Sequence, residues 1–421
     1  MIVRIQSEAT LHAPAPEAKR LLGLAEIPAG NHGAEGSLFR LDWSNRMPQR
    51  DELFSAAERL HAYLLRRHFQ NGVLHGPDVG VRFNLRAWRF LKSGLDFIGW
   101  RDDYTFMQSQ GCWVLSNWML FEATGEGRFR ELALETSEAT RRLQQPEGFW
   151  SYPLPERKHL IATVEGNWGA VALLASHARE PRREFLESAV RWYDFVVTRI
   201  GFQDHSPGKA VNYFDRPRGK VPNNSAEAVW VFLLFWKATG DRRFLEHVSG
   251  LLNFLAAVQL RSGELPYIVE SAFESRREHY QCFQYNAFQF LKLRWSAALG
   301  GAPQADSLLA GLARFLERGV VPSGACALDC RRRLPEIDYH TAVLAAALEE
   351  AARLGLAGSS GPADRAYARV LSRQRPDGSF GFSSGDYGFL RDQRSYPRQQ
   401  VMTLFHLLYG CGLGNGFPPA R

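Results

Sequence analysis

The chain has 421 residues, 45% of them hydrophobic and 12% aromatic, with 51 Lys and Arg against 44 Asp and Glu. A composition this apolar excludes a disordered chain and is ample for a large core. The net charge of +7 is scattered arginine rather than a basic run, and Arg331-Arg332-Arg333 is too short to make nucleic acid the expected partner.

Residues 1–45, with Pro14, Pro16, Pro28 and several glycines, read as a partly irregular N-terminal extension, and residues 413–421 as a C-terminal tail. The start lacks an apolar leader, and the longest apolar run, Ala228 to Trp236, is nine residues, well short of the ~18 of a membrane span. The expectation is a cytoplasmic protein without a membrane span. Five sparse cysteines suggest no disulfide framework. Cys326 and Cys330 resemble half a metal site without a second Cys/His pair, so neither metal nor cofactor is expected.

Between residues 46 and 412 one plan recurs at roughly 60-residue intervals: a polar cluster, an apolar helix, a short turn, an amphipathic helix and a Gly/Pro-rich connector. The clusters are Asp103-Tyr104-Thr105, Glu165-Gly166-Asn167-Trp168, Asn223-Asn224-Ser225, Gln284-Tyr285-Asn286, Asp338-Tyr339-His340-Thr341 and Ser395-Tyr396-Pro397-Arg398. The first helices, such as Gly111 to Phe121, Ala226 to Lys237 and Ala342 to Leu348, are apolar nearly all round and so require burial on every face. The second helices are one-sided: Glu52 to Phe69, Arg128 to Leu143, Arg182 to Arg199, Arg242 to Val258, Asp306 to Arg318 and Pro362 to Gln374. An inner ring wrapped by an outer ring satisfies both patterns.

Turns from inner to outer helix repeat Ala-Thr-Gly-acid, at Ala123 to Glu126 and Ala238 to Asp241. There Gly suits the left-handed C′ position, and the acid suits the positive start of the next helix. The connectors Gln145 to Trp150, Arg261 to Pro266 and Arg375 to Gly381 read as tight Gly-centred hairpins that collect on the same side as the polar clusters.

These six hairpins, the Ala238 to Leu245 turn and the Arg375 to Gly381 connector together resemble the (α/α)6 toroids of the six-hairpin glycosidase superfamily. The resemblance implies an all-α (α/α)6 toroid with short β-hairpin connectors on one face. It also implies a site at the N-terminal ends of the inner helices, where helix dipoles favour anions. The acids so placed are Asp102, Asp103, Glu165, Glu227 and Asp338.

For hydrolysis, the preferred carboxyl pair is Glu165 and Asp338, each beside an aromatic residue. For uronate elimination or epimerisation the resemblance implies a different catalytic set instead, with Tyr396 moving the α-proton and His340 helping to neutralise the carboxylate. Asn223, Asn224, Arg394 and Arg398 would hold a carboxylate, although Ser225 stands where the resembling lyases carry histidine. Asp103, Gln108, Gln284, Tyr280 and Tyr285 complete the expected substrate contacts, with Trp150, Trp168 and Tyr267 as stacking platforms for a sugar face. Arg82, Arg86 and Arg101 would extend an anionic subsite.

The expected function is cleavage or modification of an acidic oligo- or polysaccharide. The alternatives are an isoprenoid-type toroid, although no Asp-rich protonating motif is present, and a non-catalytic saccharide-binding toroid.

Overall fold

The computed structural model describes residues 47–414, apart from 82–86, 96–97, 99, 101, 301, 303 and 359. The expectations for residues 1–45, for residues 415–421 and for Arg82, Arg86 and Arg101 lie outside the described residues.

Thirteen α-helices account for most of the described chain. They are α1 (Met47–Arg67), α2 (Ala87–Gly94), α3 (Met107–Thr124), α4 (Gly127–Arg142), α5 (Thr163–Arg179), α6 (Arg183–Phe195) and α7 (Pro222–Thr239), followed by α8 (Val248–Val258), α9 (Cys282–Ala298), α10 (Ala305–Leu316), α11 (Asp338–Arg353), α12 (Gly361–Arg373) and α13 (Pro397–Gly410). Helices α3, α5, α7, α9, α11 and α13 pack consecutively, and α13 returns to α3. That last contact closes the ring. Outside it, α4, α6, α8, α10 and α12 each pack on the inner helix of their own hairpin, while α1 packs on α13. The sixth hairpin is therefore assembled from the two ends of the described chain.

The inner helices explain their own burial. In α7, every residue from Asn224 to Phe235 is buried, so no face is left for water. Pro222 and Pro397 occupy the first turns of α7 and α13, where a missing N–H leaves no helical bond unmade. At the far ends, Gly125 and Gly240 take φ of 72° and 70° and close onto Phe121 O and Trp236 O, the expected left-handed caps.

The outer-to-inner connectors all lie at the end of the toroid where the inner helices begin. They carry the short strands β1 (Phe69–Gln70), β2 (Val73–Leu74), β3 (Phe202–His205), β4 (Gly208–Val211), β5 (Glu336–Ile337), β6 (Ser383–Asp386) and β7 (Leu390–Asp392), paired β1–β2, β3–β4 and β5–β6–β7. The Gly-centred connectors are the tight turns expected there: Gln145, Leu260, Val321 and Arg375 each donate N–H to the residue four further on, at 2.8 to 3.0 Å, and at Val321 the pairing continues through a Val320–Cys326 bridge.

Those turns have a second task. A Cβ on Gly148, Gly263, Gly324 or Gly378 would stand 2.1 to 2.7 Å from a backbone carbonyl oxygen of the next outer helix, so only hydrogen fits. Three of the turns are stapled to that helix by a glutamine. Gln144 donates to Gly148 O and Ser188 O, Gln259 to Gly263 O and Leu308 O, and Gln374 to Gly378 O and Ala56 O. Each staple satisfies two carbonyls and fixes the spacing between neighbouring hairpins.

Candidate functional site

Helix register decides which side chains reach the ring axis. The second residues of α3, α5, α7, α11 and α13 are Gln108, Val164, Asn223, Tyr339 and Arg398, and all five line one central cavity of about 640 Å³. Helix α9 follows Gln281, a non-glycine residue at φ 46°, and contributes Gln284 and Tyr285 instead. All six inner helices thus supply the wall. The connectors add Tyr152, Tyr213, Phe214 and Tyr267, with Arg157, Arg218, Phe273 and Glu274 exposed at the rim.

Glu165, the third residue of α5, is 1% exposed and lines this cavity. Its Oε2 accepts the Met107 N–H at 2.6 Å, a donor from the first turn of α3. Burial pushes its carboxyl up to about 7, against the opposing pull of Arg398 and the Met107 N–H. A group poised there exchanges protons near neutral pH. On α13, which flanks α3 on the other side from α5, Arg398 is held by two parallel bonds to the buried Asp78, at 2.8 and 2.9 Å, with Nη1 3.4 Å from Gln108 Oε1. That fork fixes the guanidinium in place.

Phenols form most of the remaining wall. Tyr267 packs against Tyr280 and Tyr285, with centroids 4.8 and 5.0 Å apart. Burial raises the hydroxyls of Tyr213 and Tyr285 well above the usual range and that of Tyr152 to about 12, so these groups act as hydrogen-bond donors rather than bases. Below them, Lys292 lines the floor and pairs with Glu227 at 2.5 Å; Glu227 also accepts from Trp168 and Asn167. Arg157 and Arg218 have no carboxylate partner among the described residues, which leaves two exposed cations at the mouth.

Of the residues singled out from sequence, the cavity gathers Gln108, Glu165, Asn223, Tyr267, Gln284, Tyr285 and Arg398. The others lie elsewhere. Asp338 opens α11 but turns outward to Arg373 on α12, at 3.2 Å. His340 is buried behind Tyr339, its ring 4.5 Å from the phenol, and burial drives it down to about 3. The Tyr396 hydroxyl donates to Asp392 at 2.8 Å, inside a small core of Leu328, Ile337 and Phe382. Arg394 pairs with Asp102, and Asp103 with His75 on the exposed side. Asn224 donates to Asn212 O, while the Trp150 and Trp168 indoles donate to Thr140 O and Glu227. Tyr280 supports Tyr267 from behind.

The cavity also contains residues that the repeat clusters did not point to. Tyr152, Arg157, Tyr213, Arg218 and Glu274 sit on connectors of irregular length, where no helical period marks an inward position. Asp78 was equally silent, because its role depends on Arg398, 320 residues away.

No family model matches the sequence, and no curated protein sequence matches it. Solved structures do share the fold. A cellobiose 2-epimerase from Bacillus thermoamylovorans superposes with a TM-score of 0.68 at 11% identity, over 86% of this chain and 99% of that one. A family 88 glycosyl hydrolase from Bacteroides vulgatus gives 0.60 at 10% identity, over 86% and 99%. A type II terpene cyclase from Scytonema gives 0.54 at 14% identity, over 87% and 99%. The protein is an (α/α)6 toroid, the fold that it shares with these structures. At such identities the likeness defines the fold and leaves chemistry to the site.

Proposed function

We propose that this toroid is an enzyme of acidic oligo- or polysaccharides that moves a proton at a uronate carbon, by elimination or epimerisation, with Glu165 as the base. The observation that carries the reading is the buried Glu165 carboxyl, held near 7 at the wall of a polar cavity. In this scheme the Glu165 carboxylate takes the proton α to the sugar carboxylate. Asn223 and the two glutamines supply donors to that carboxylate, which lowers the cost of building charge on it, while the exposed Arg157 and Arg218 attract the acidic chain to the rim. The Tyr213 and Tyr285 hydroxyls, kept protonated by burial, are the donors on offer to the departing or re-protonated centre. The neighbouring folds include a sugar epimerase and a glycosyl hydrolase, which supports a saccharide as substrate.

Glu274 is the other carboxylate lining the cavity, and it favours hydrolysis as the second reading. It lies on the rim, where it accepts the Gly219 N–H at 3.0 Å. An isoprenoid substrate fits poorly, because a hydrocarbon would leave Asn223 Oδ1 and Gln284 Oε1, which have no hydrogen-bond partner among the described residues, desolvated and unpaired.

The test is incubation with uronate-containing oligosaccharides in deuterated water. Elimination gives an ultraviolet-absorbing unsaturated product, and epimerisation gives solvent deuterium at the reacting carbon. Either signal should vanish in Glu165→Gln and persist in Glu274→Gln. New reducing ends without either signal, lost in Glu274→Gln, would overturn the proposal in favour of hydrolysis.

A further inference from the structure

Outside the cavity, Cys282, Cys330 and His279 converge. The two sulfurs are 3.4 Å apart, and the ligand atoms of all three residues lie within 4.8 Å of one another. Glu264 stands just outside that set, with its Oε1 3.7 Å from His279 Nδ1, and would have to move in to complete it. Apart from the long ionic contacts of His279 with Glu264 and Glu278, both 3.7 Å, two buried polar atoms at this spot are left without a hydrogen bond among the described residues. Glu264 is 2% exposed, yet its Oε2 has no hydrogen-bond partner, and neither has His279 Nδ1. Glu264 is also out of character with its repeat: the residues in the same place after the other Gly turns are Phe149, Ala325 and Ser379. A buried acid with an orphaned oxygen is costly unless a cation meets it.

We propose that Cys282, Cys330, His279 and Glu264 bind a zinc ion. Two thiolates, an imidazole and a carboxylate are a zinc donor set. Zn–S bonds of about 2.3 Å at tetrahedral angles place two sulfurs about 3.8 Å apart, within a few tenths of the spacing here. Binding releases the two thiol protons, and the ion takes the place of the missing partners of Glu264 and His279. Three anionic ligands on a dication leave one negative charge, beside a groove whose four arginines, Arg276, Arg277, Arg331 and Arg332, outnumber its acids, Glu278 and Asp329.

The site is structural. It ties the turn at Glu264 and the start of α9 to the loop that precedes α11. Cys282 is the first residue of α9, two positions before Gln284, so the ion fixes the helix turn that presents Gln284 and Tyr285 to the cavity.

The experiment uses the full chain, purified under reducing conditions, stripped by chelator and titrated with zinc or cobalt(II). One equivalent should bind. The cobalt form should show thiolate-to-metal charge transfer in the near ultraviolet and the visible bands of a tetrahedral centre. Cys330→Ser, at an exposed position, should lose about half of the charge-transfer intensity per bound cobalt, and Cys330→Ser with His279→Ala should lose the bound equivalent. Absence of a stoichiometric thiolate–cobalt band in the wild type would overturn the proposal, as would full retention of metal in the double variant.

Discussion

The starts of α5 and α11 look alike in sequence and differ in destination. Each has an acid near its first turn, and burial raises both carboxyls, Glu165 to about 7 and Asp338 to about 6. Glu165 is the third residue of its helix and Asp338 the first of its own. Two positions are about 200° around a helix, so one acid reaches the cavity and the other reaches the outer ring at Arg373. A repeat therefore places a polar cluster at the mouth, and the register within the first turn selects which member of it meets a ligand.

The largest effect should separate those two acids directly. Glu165→Gln should lower kcat by roughly 10²–10⁴-fold, the usual worth of a positioned acid–base group, while Asp338→Asn should leave kcat within about twofold. Equal losses in both variants would break the distinction. The wild-type rate should also rise with pH through about 7, as Glu165 gives up its proton, and Asp338→Asn should keep that limb.

Stability sharpens the same contrast. Both groups have folded values above their ordinary ones, so the folded state favours the protonated form. Their contribution is fully present at low pH and is lost as pH rises, from 4.5 through 7 for Glu165 and from 3.8 through 6 for Asp338. Within each window the loss runs at up to about 1.4 kcal/mol per pH unit. Urea unfolding across pH should show Glu165→Gln flattening the upper window and Asp338→Asn the lower one.

At the rim, Arg157→Ala and Arg218→Ala should each raise KM for an acidic oligosaccharide by about fivefold at most, with kcat kept and with the effect fading in salt. A neutral oligosaccharide should not feel the change. Smallest of all, His340→Leu should leave KM and kcat within about twofold and the melting temperature unchanged or higher. The neutral imidazole is buried with Nε2 unpartnered, and an apolar replacement of similar size removes that cost.

The architecture was legible because its signals are periodic. All-round apolar helices alternate with one-sided ones, and Gly125 and Gly240 mark where they join, so rings, hairpins and turns followed from pattern alone. The glutamine staples were visible in principle, four residues before Gly148, Gly263 and Gly378, but only the coordinates show which carbonyl each one reaches. The site was legible in part. Clusters marked turns that line the cavity, yet which member of each faces it, Glu165 rather than Asp338 or Asn223 rather than Asn224, rests on a helix start fixed to within one residue. Sequence patterns leave that boundary open. Pairings over long separations carry no local mark at all. Arg398 with Asp78 and Cys282 with Cys330 are examples, and the cysteines misled, since Cys326, four residues from Cys330, is buried in the core while its neighbour faces α9.

Because α1 leans on α13, the last hairpin joins segments some 330 residues apart, whereas the other five are made of neighbours. A nascent chain can stack five pairs as they emerge, but it must hold the apolar flanks of α3 and α11 uncovered until the final helix leaves the ribosome. Loss of α13 alone would leave a gapped arc in place of the ring, with the wall contributed by Arg398 and Met402 missing.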